Sequence, residues 1–222
     1  MEKRFAQLDL LRGLAVASML LFNWSFALLL LGVYTITDAS WYWWLFPRII
    51  AGTFILIAGI SLSISHSRKR TYLHFLKRGL GILAIGMVAT LATWLYLGNG
   101  FVVFGILHFI GLSIIIAPLF FRLGRWNILL GILIFASGFF LSTNSAALLW
   151  LMNYDFYTVD YFPMLPWLGL VLTGIGIGSV LNLNRKSKLR IKPIEFLGRN
   201  SLAIYVVHQP LLIIALKLFG LA

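Results

Sequence analysis

Residues 10–33 read LLRGLAVASMLLFNWSFALLLLGV, with a single charge, Arg12. A helix needs about 20 consecutive apolar residues to cross a hydrocarbon core of about 30 Å. The run does not alternate between apolar and polar residues as a barrel strand does. Backbone polar groups in lipid must be satisfied within the segment, which leaves the helix. The run is also too long for a signal-peptide core and no small-residue cleavage site follows it, so we expect it to be retained.

Working outward, six more apolar stretches fall at 45–65, 79–97, 101–121, 126–143, 162–182 and 198–219. Over all 222 residues, 61% are hydrophobic and 11% charged. Soluble domains carry about 25% charged residues, and a core of this size could not hide the excess. The sequence therefore predicts an all-α fold, a polytopic membrane helix bundle of about seven transmembrane helices. It forms a single domain, 1–222, without soluble domain, linker or low-complexity tract. The two-halves similarity that would mark many transporters is not found.

The net charge of +12 is not spread evenly. Sixteen of the eighteen basic residues fall in four segments. These hold Lys3, Arg4 and Arg12; Arg68, Lys69, Arg70, Lys77 and Arg78; Arg122 and Arg125; and Arg185, Lys186, Lys188, Arg190, Lys192 and Arg199. Alternation across seven helices puts all four on one side, which the positive-inside rule makes cytoplasmic. The expected location is thus the cell membrane, multi-pass, with the N-terminus cytoplasmic and the C-terminus outside. The intervening segments 34–46, 98–100 and 144–161 hold Asp38, Asp155 and Asp160 and no basic residue. Arg48 and Lys217 are the exceptions, near outer helix ends. This distribution accounts for the charge, and no nucleic-acid partner is expected. The chain has no cysteine, which excludes disulfides, thiolate metal sites and cysteine nucleophiles. No metal-ligand spacing occurs, and no metal is expected.

Outer segments carry Tyr34, Trp41, Tyr42, Trp43, Trp44, Trp150, Tyr154, Phe156, Tyr157 and Tyr161. An interfacial aromatic belt is the simple explanation; a lid or a sugar-stacking surface is the functional one. Segment 144–161 is long for a hairpin between membrane helices, and long ordered loops are often functional. Gly52, Gly59 and Ser63 share a helix face, and Gly174 and Gly178 form a GxxxG, both suited to close helix packing.

Polar groups inside a membrane are costly and therefore candidates for function. On the first helix Asp9, Arg12, Met19 and Asn23 share one face at three- and four-residue steps. On the seventh, Ser201, Tyr205, His208 and Gln209 make a second polar stripe, closed by Pro210, which frees the carbonyl of Val206. On the fourth, His108 lies between Gly105 and Gly111. Each could instead bond a neighbouring helix. A neutral histidine near the midplane could act as a base. Neither a phosphate-cradling glycine loop nor a Ser-His-Asp order is present.

Five stretches occur in an order that carries a resemblance: LDLLRGLAVASMLLFN (8–23), FILIAGISLSIS (54–65), GILHFIGLSIIIA (105–117), DYFPMLPWLGLVLTGIGIG (160–178) and LGRNSLAIYVVHQPL (197–211). Together they resemble the catalytic domain of the heparan-alpha-glucosaminide N-acetyltransferase family, in its short prokaryotic branch of transmembrane acyltransferases. The resemblance spans nearly the whole chain.

It implies an enzyme that moves an acetyl or other acyl group from cytoplasmic acyl-CoA to an extracytoplasmic or lipid-linked sugar amine or hydroxyl. Acetyl-CoA or another acyl-CoA would be the donor, and a carbohydrate or glycolipid the acceptor. Membrane lipids are implied partners, and a homodimer is left open. The resemblance carries over Asn23, at the family's spacing after D-x-x-R-G (Asp9, Arg12), and His208, in N-S-x-x-x-Y-x-x-H (Asn200, Tyr205). The lysosomal member has an active-site histidine in its first outer loop, whereas this chain has none between 33 and 47. Direct transfer with His208 or His108 as base is thus implied over an acetyl-histidine route, with Asn23 donating to the oxyanion. Arg12 and Arg199, both at helix ends, are the expected ligands of CoA phosphates. The alternatives are a small-molecule transporter or exporter, and a non-catalytic membrane protein on the same scaffold.

Overall fold

The computed structural model describes residues 6–30, 40–181 and 191–218. Lys3, Arg4, Tyr34, Asp38, Arg185, Lys186, Lys188 and Arg190 lie outside the described residues, as do residues 34–39 of the segment 34–46. Among the described residues the structure is helical, with two isolated β-bridges and no strand. The α-helices of the described residues run in the order α1 (Ala6–Leu30), α2 (Ser40–Ser67), α3 (Tyr72–Leu97), α4 (Ile106–Ile116), α5 (Trp126–Ser137), α6 (Met164–Val180), α7 (Lys192–Arg199) and α8 (Ser201–Leu218).

Among the described residues, four helical segments are long and apolar enough to cross a membrane: Gln7–Leu29, Trp41–Ser67, Tyr72–Leu97 and Ser201–Leu218. The other three expected spans are shorter apolar helices, Ile106–Leu119, Trp126–Ser137 and Met164–Val180. Their ends have local causes. α3 stops where Gly98 turns to φ +68° and caps Trp94 through its N–H at 3.0 Å. α4 tightens into 3₁₀ turns at Pro118 and ends before Gly124, at φ +50°. α6 is entered through Pro163 and a cis Leu165–Pro166 bond. α5 has 12 residues, hence about 18 Å of rise. The seventh stretch, 198–219, corresponds to α8, and the basic segment before it contains a further helix, α7, that meets α8 at Asn200. α7 is short and strongly amphipathic, so its polar half falls outside a hydropathy window.

The chain divides into two compact units. The first holds Met1–Phe54 and Asn182–Ala222, hence α1, the start of α2, α7 and α8. Here α7 packs on α1 so closely that a β-carbon on Gly13 would meet the carbonyl oxygen of Ile194, and one on Gly198 that of Asp9. Phe22 of α1 meets Tyr42, Trp43 and Phe46 of α2 at centroid distances of 5.8, 5.6 and 6.1 Å. Ser25 and Tyr42 hydroxyls lie 3.2 Å apart. The aromatic cluster thus fixes the start of α2 on α1.

The second unit holds Ile55–Leu181. Its interior includes Ile55, Phe75, Phe109, Val171, Leu172 and Ile175, all buried. Small residues let the backbones approach, as expected in lipid. A β-carbon on Gly174 would stand 3.0 Å from Gly59 Cα, and one on Gly178 would stand 2.7 Å from Ser63 Cβ. The GxxxG of α6 therefore faces another helix at close distance, as predicted, and the structure identifies that helix as α2, through Gly59 and Ser63. Asn127, fully buried at the start of α5, donates to the carbonyls of Phe120 and Gly124 at 2.8 and 3.0 Å and ties down the preceding turn.

Candidate functional site

The first unit gathers most of the predicted site residues. Asn23 comes from the C-terminal half of α1, and His208 and Gln209 from the middle of α8. Asn23 donates one amide N–H to the Met19 carbonyl, one helical turn back, at 2.9 Å. Its Oδ1 accepts a hydrogen bond from Gln209 Nε2 at 2.8 Å. That bond crosses from α1 to α8 and joins Asn23 to the immediate neighbour of His208.

His208 is buried. Its Nδ1 lies 2.6 Å from the Tyr205 carbonyl oxygen. A carbonyl only accepts, so Nδ1 carries the proton. In the neutral ring Nε2 is then the unprotonated nitrogen, and it has no hydrogen-bond partner among the described residues. Buried polar atoms are normally paired. The orientation of this ring thus leaves a base with an open lone pair. The Tyr205 ring lies against His208 at 5.7 Å between centroids.

At the other end of α1 four charges converge. Arg12 Nη1 is 3.4 Å from Asp9 Oδ1, Arg199 Nε is 3.6 Å from Asp9 Oδ2, and Arg199 Nη2 is 3.2 Å from Glu195 Oε2. Asp9 and Glu195 are buried, while the Arg199 side chain is 44% exposed. Two guanidinium groups thus face two carboxylates. The close backbone approach at Gly13 and Gly198 makes this possible. Asn200 serves the same junction: its Nδ2 donates to the Phe196 carbonyl at 2.9 Å, closing α7, and its own carbonyl accepts from Ile204 N–H at 2.9 Å, opening α8.

His108 belongs to the second unit, and both its ring nitrogens are engaged there. Nδ1 accepts the backbone N–H of Gly105 at 3.3 Å, and Nε2 is 3.3 Å from the Thr90 hydroxyl. It closes the N-terminus of α4 as a capping residue does. Beside it, Asp160 Oδ2 accepts the N–H of Ile106 at 3.0 Å, satisfying another free donor of the same helix end. A β-carbon on Gly105 would occupy the place of that carboxylate. Burial pushes the Asp160 carboxyl up to about 6, and the Ile106 bond opposes this only in part. Asp160 belongs to an ordered segment. Tyr161 Oη lies 2.6 and 2.8 Å from the carbonyl oxygens of Leu149 and Met152 and accepts the N–H of Tyr154 at 3.1 Å. Thr158 Oγ1 donates to the Phe101 carbonyl at 2.7 Å.

A family model described as heparan-alpha-glucosaminide N-acetyltransferase, catalytic, matches residues 4–210. The chain belongs to this family. The match runs from the start of α1 into α8 and so includes every predicted site residue. No curated protein and no solved structure matches the chain. Within this acetyltransferase domain, the sequence did not single out Glu195 or the role of Gln209. A signal existed for Glu195, which stands four residues before Arg199 on an amphipathic stretch. For Gln209 there was none beyond its place in the polar stripe.

Proposed function

We propose that this protein is a multi-pass membrane acyltransferase that takes an acyl group, acetyl in the first instance, from cytoplasmic acyl-CoA to an amine or hydroxyl of an extracytoplasmic or lipid-linked sugar. Membership in the acetyltransferase family supports the reaction class. The observation that carries the site is the open Nε2 of buried His208, on α8 beside the residue bonded to Asn23.

In the proposed step the acceptor nitrogen or oxygen attacks the thioester carbonyl carbon while His208 Nε2 takes the acceptor's proton. The new C–N or C–O bond forms, the carbonyl electrons move onto oxygen, and the remaining N–H of Asn23 stabilises that oxyanion. Collapse breaks the C–S bond, and the thiolate leaves with the proton returned from His208. The products are the acylated sugar and free CoA. His108, with both nitrogens engaged, is read as a cap of α4, not as the base.

Seven crossings, with the N-terminus cytoplasmic and the C-terminus outside, remain the preferred topology on charge distribution. On that topology the quartet of Asp9, Arg12, Glu195 and Arg199 lies on the donor side. Arg199 has the most open edge of the four and is the proposed contact for CoA phosphates, with Arg12 held beside it by Asp9. Asn200 and Tyr205 support the site through the α7–α8 junction and the His208 ring.

The test is acyl transfer by the purified protein in lipid nanodiscs, with acetyl-CoA and an amino sugar. His208→Ala should lower turnover by roughly 10²–10⁴-fold and leave acetyl-CoA affinity unchanged, because a lost base removes transition-state stabilisation. Wild-type turnover in that variant would reject the assignment.

A further inference from the structure

Asn23 is an amide with two faces, and only one of them suits an oxyanion. Its Nδ2 is a donor and its Oδ1 an acceptor. Met19 lies one turn back and offers only a carbonyl, which takes one N–H at 2.9 Å. The carbonyl side of the amide would repel a developing negative charge. Gln209 Nε2 covers that side, donating to Oδ1 at 2.8 Å. After both bonds, Asn23 has one N–H left, with no partner among the described residues.

Gln209 is the ninth of the eighteen residues of α8, so it stands midway along a helix apolar enough to cross a membrane. A primary amide there is costly unless it is used. Its side chain is exposed, and Asn23 is its sole hydrogen-bond partner among the described residues. Packing therefore does not explain it, and neither does a wider polar network. What the bond does is fix the Asn23 amide against a flip and couple α1 to the helix that carries His208.

Resting on the reading of Asn23 and His208 as an acyl-transfer site, we infer that Gln209 is a positioning residue that holds Asn23 as a hydrogen-bond donor towards the reacting carbonyl. Two substitutions test it. Gln209→Leu keeps the side chain's size and removes its donor. It should lower kcat roughly ten- to hundredfold with little change in KM for acetyl-CoA and in thermal stability. Gln209→Glu gives a signature that a packing role would not. A protonated carboxyl donates to Asn23 Oδ1 as glutamine does, whereas the carboxylate accepts and draws Nδ2 round. Its kcat should approach wild type at low pH and fall as pH rises, adding a descending limb absent from wild type.

The experiment is a pH profile of kcat for wild type, Gln209→Leu, Gln209→Glu, Asn23→Ala and His208→Ala in nanodiscs, with the melting temperature of each. Loss of turnover in Asn23→Ala and His208→Ala together with the new limb in Gln209→Glu supports the inference. The same losses with wild-type kcat and pH profile in both Gln209 variants overturn it and leave the site itself standing. Wild-type turnover in Asn23→Ala or His208→Ala overturns the site and the inference together.

Discussion

Gly198 of α7 lies against the backbone of Asp9 in α1, so that its absent β-carbon would fall on the Asp9 carbonyl. Gly13 makes the reciprocal approach to Ile194. A larger side chain at 198 must push α7 off α1 and pull Arg199 away from Asp9. Gly198→Leu should destabilise the protein by about 1–3 kcal/mol, read as a lower melting temperature in detergent. Gly81→Ala is the control, since nothing lies within 4 Å of its added β-carbon. It should melt at or slightly above wild type, because Ala favours helix over Gly. Equal stability of Gly198→Leu and Gly81→Ala would contradict the close approach.

In the second unit the same reasoning applies to Gly178, where a β-carbon would meet Ser63 Cβ at 2.7 Å and the Ile60 carbonyl oxygen at 2.9 Å. Gly178→Leu should cost about 1–3 kcal/mol. Gly178→Ala should cost less, because a single methyl asks for a smaller shift. The order Gly, Ala, Leu in melting temperature is the check.

The long apolar stretches at 10–33, 45–65 and 79–97 contain the bodies of three long helices, because hydropathy averages well over twenty residues. The close packing of the GxxxG was legible because small residues on an apolar helix face have few other uses, whereas its partner was not. α7 was not, because eight amphipathic residues average to neutral hydropathy and read as part of the basic segment 183–199. A local signal did exist: Pro193 stands at the start of this helix and Asn200 at its end. The two membrane histidines looked equivalent in sequence and differ in structure for a backbone reason. His108 is three residues past Gly105, at a helix start, where free N–H groups claim its ring. His208 is inside a helix, where backbone N–H groups are already paired and only a carbonyl remains to bind it.

The charge quartet bears on the donor. Arg199 contributes ion pairs to two carboxylates, yet its side chain remains 44% exposed and has further N–H groups to offer. A charge-assisted bond to phosphate is worth about 1.5–3 kcal/mol. Arg199→Ala should therefore weaken CoA binding about tenfold or more by titration calorimetry, with the loss shrinking as salt rises. Unchanged affinity would reduce the quartet to a structural clasp between α1 and α7.

Topology is open to a direct test. Cysteines placed at Ser145 and Ser187 in this cysteine-free chain give two reporters on segments of opposite predicted sidedness. A membrane-impermeant maleimide added to intact cells should label the first and spare the second. The reverse pattern would invert the orientation drawn from Lys and Arg.

The Asp160 clasp should make stability depend on pH in a defined direction. Its carboxyl rises from an ordinary 3.8 to about 6 because burial disfavours the charged form. The folded state then holds the proton more tightly than the unfolded chain. The associated stability is fully present below pH of about 4 and is lost as pH rises through about 6, beyond which it stays lost. Asp160→Asn keeps an acceptor for the Ile106 N–H and has no charge to bury. Its melting temperature should exceed that of wild type at pH 7, and the difference should shrink towards pH 4.5. His108 is common to both proteins, so its own titration cancels in the comparison. Parallel melting curves for the two proteins across pH 4.5–7.5 would show that the Asp160 carboxyl is not the group responsible.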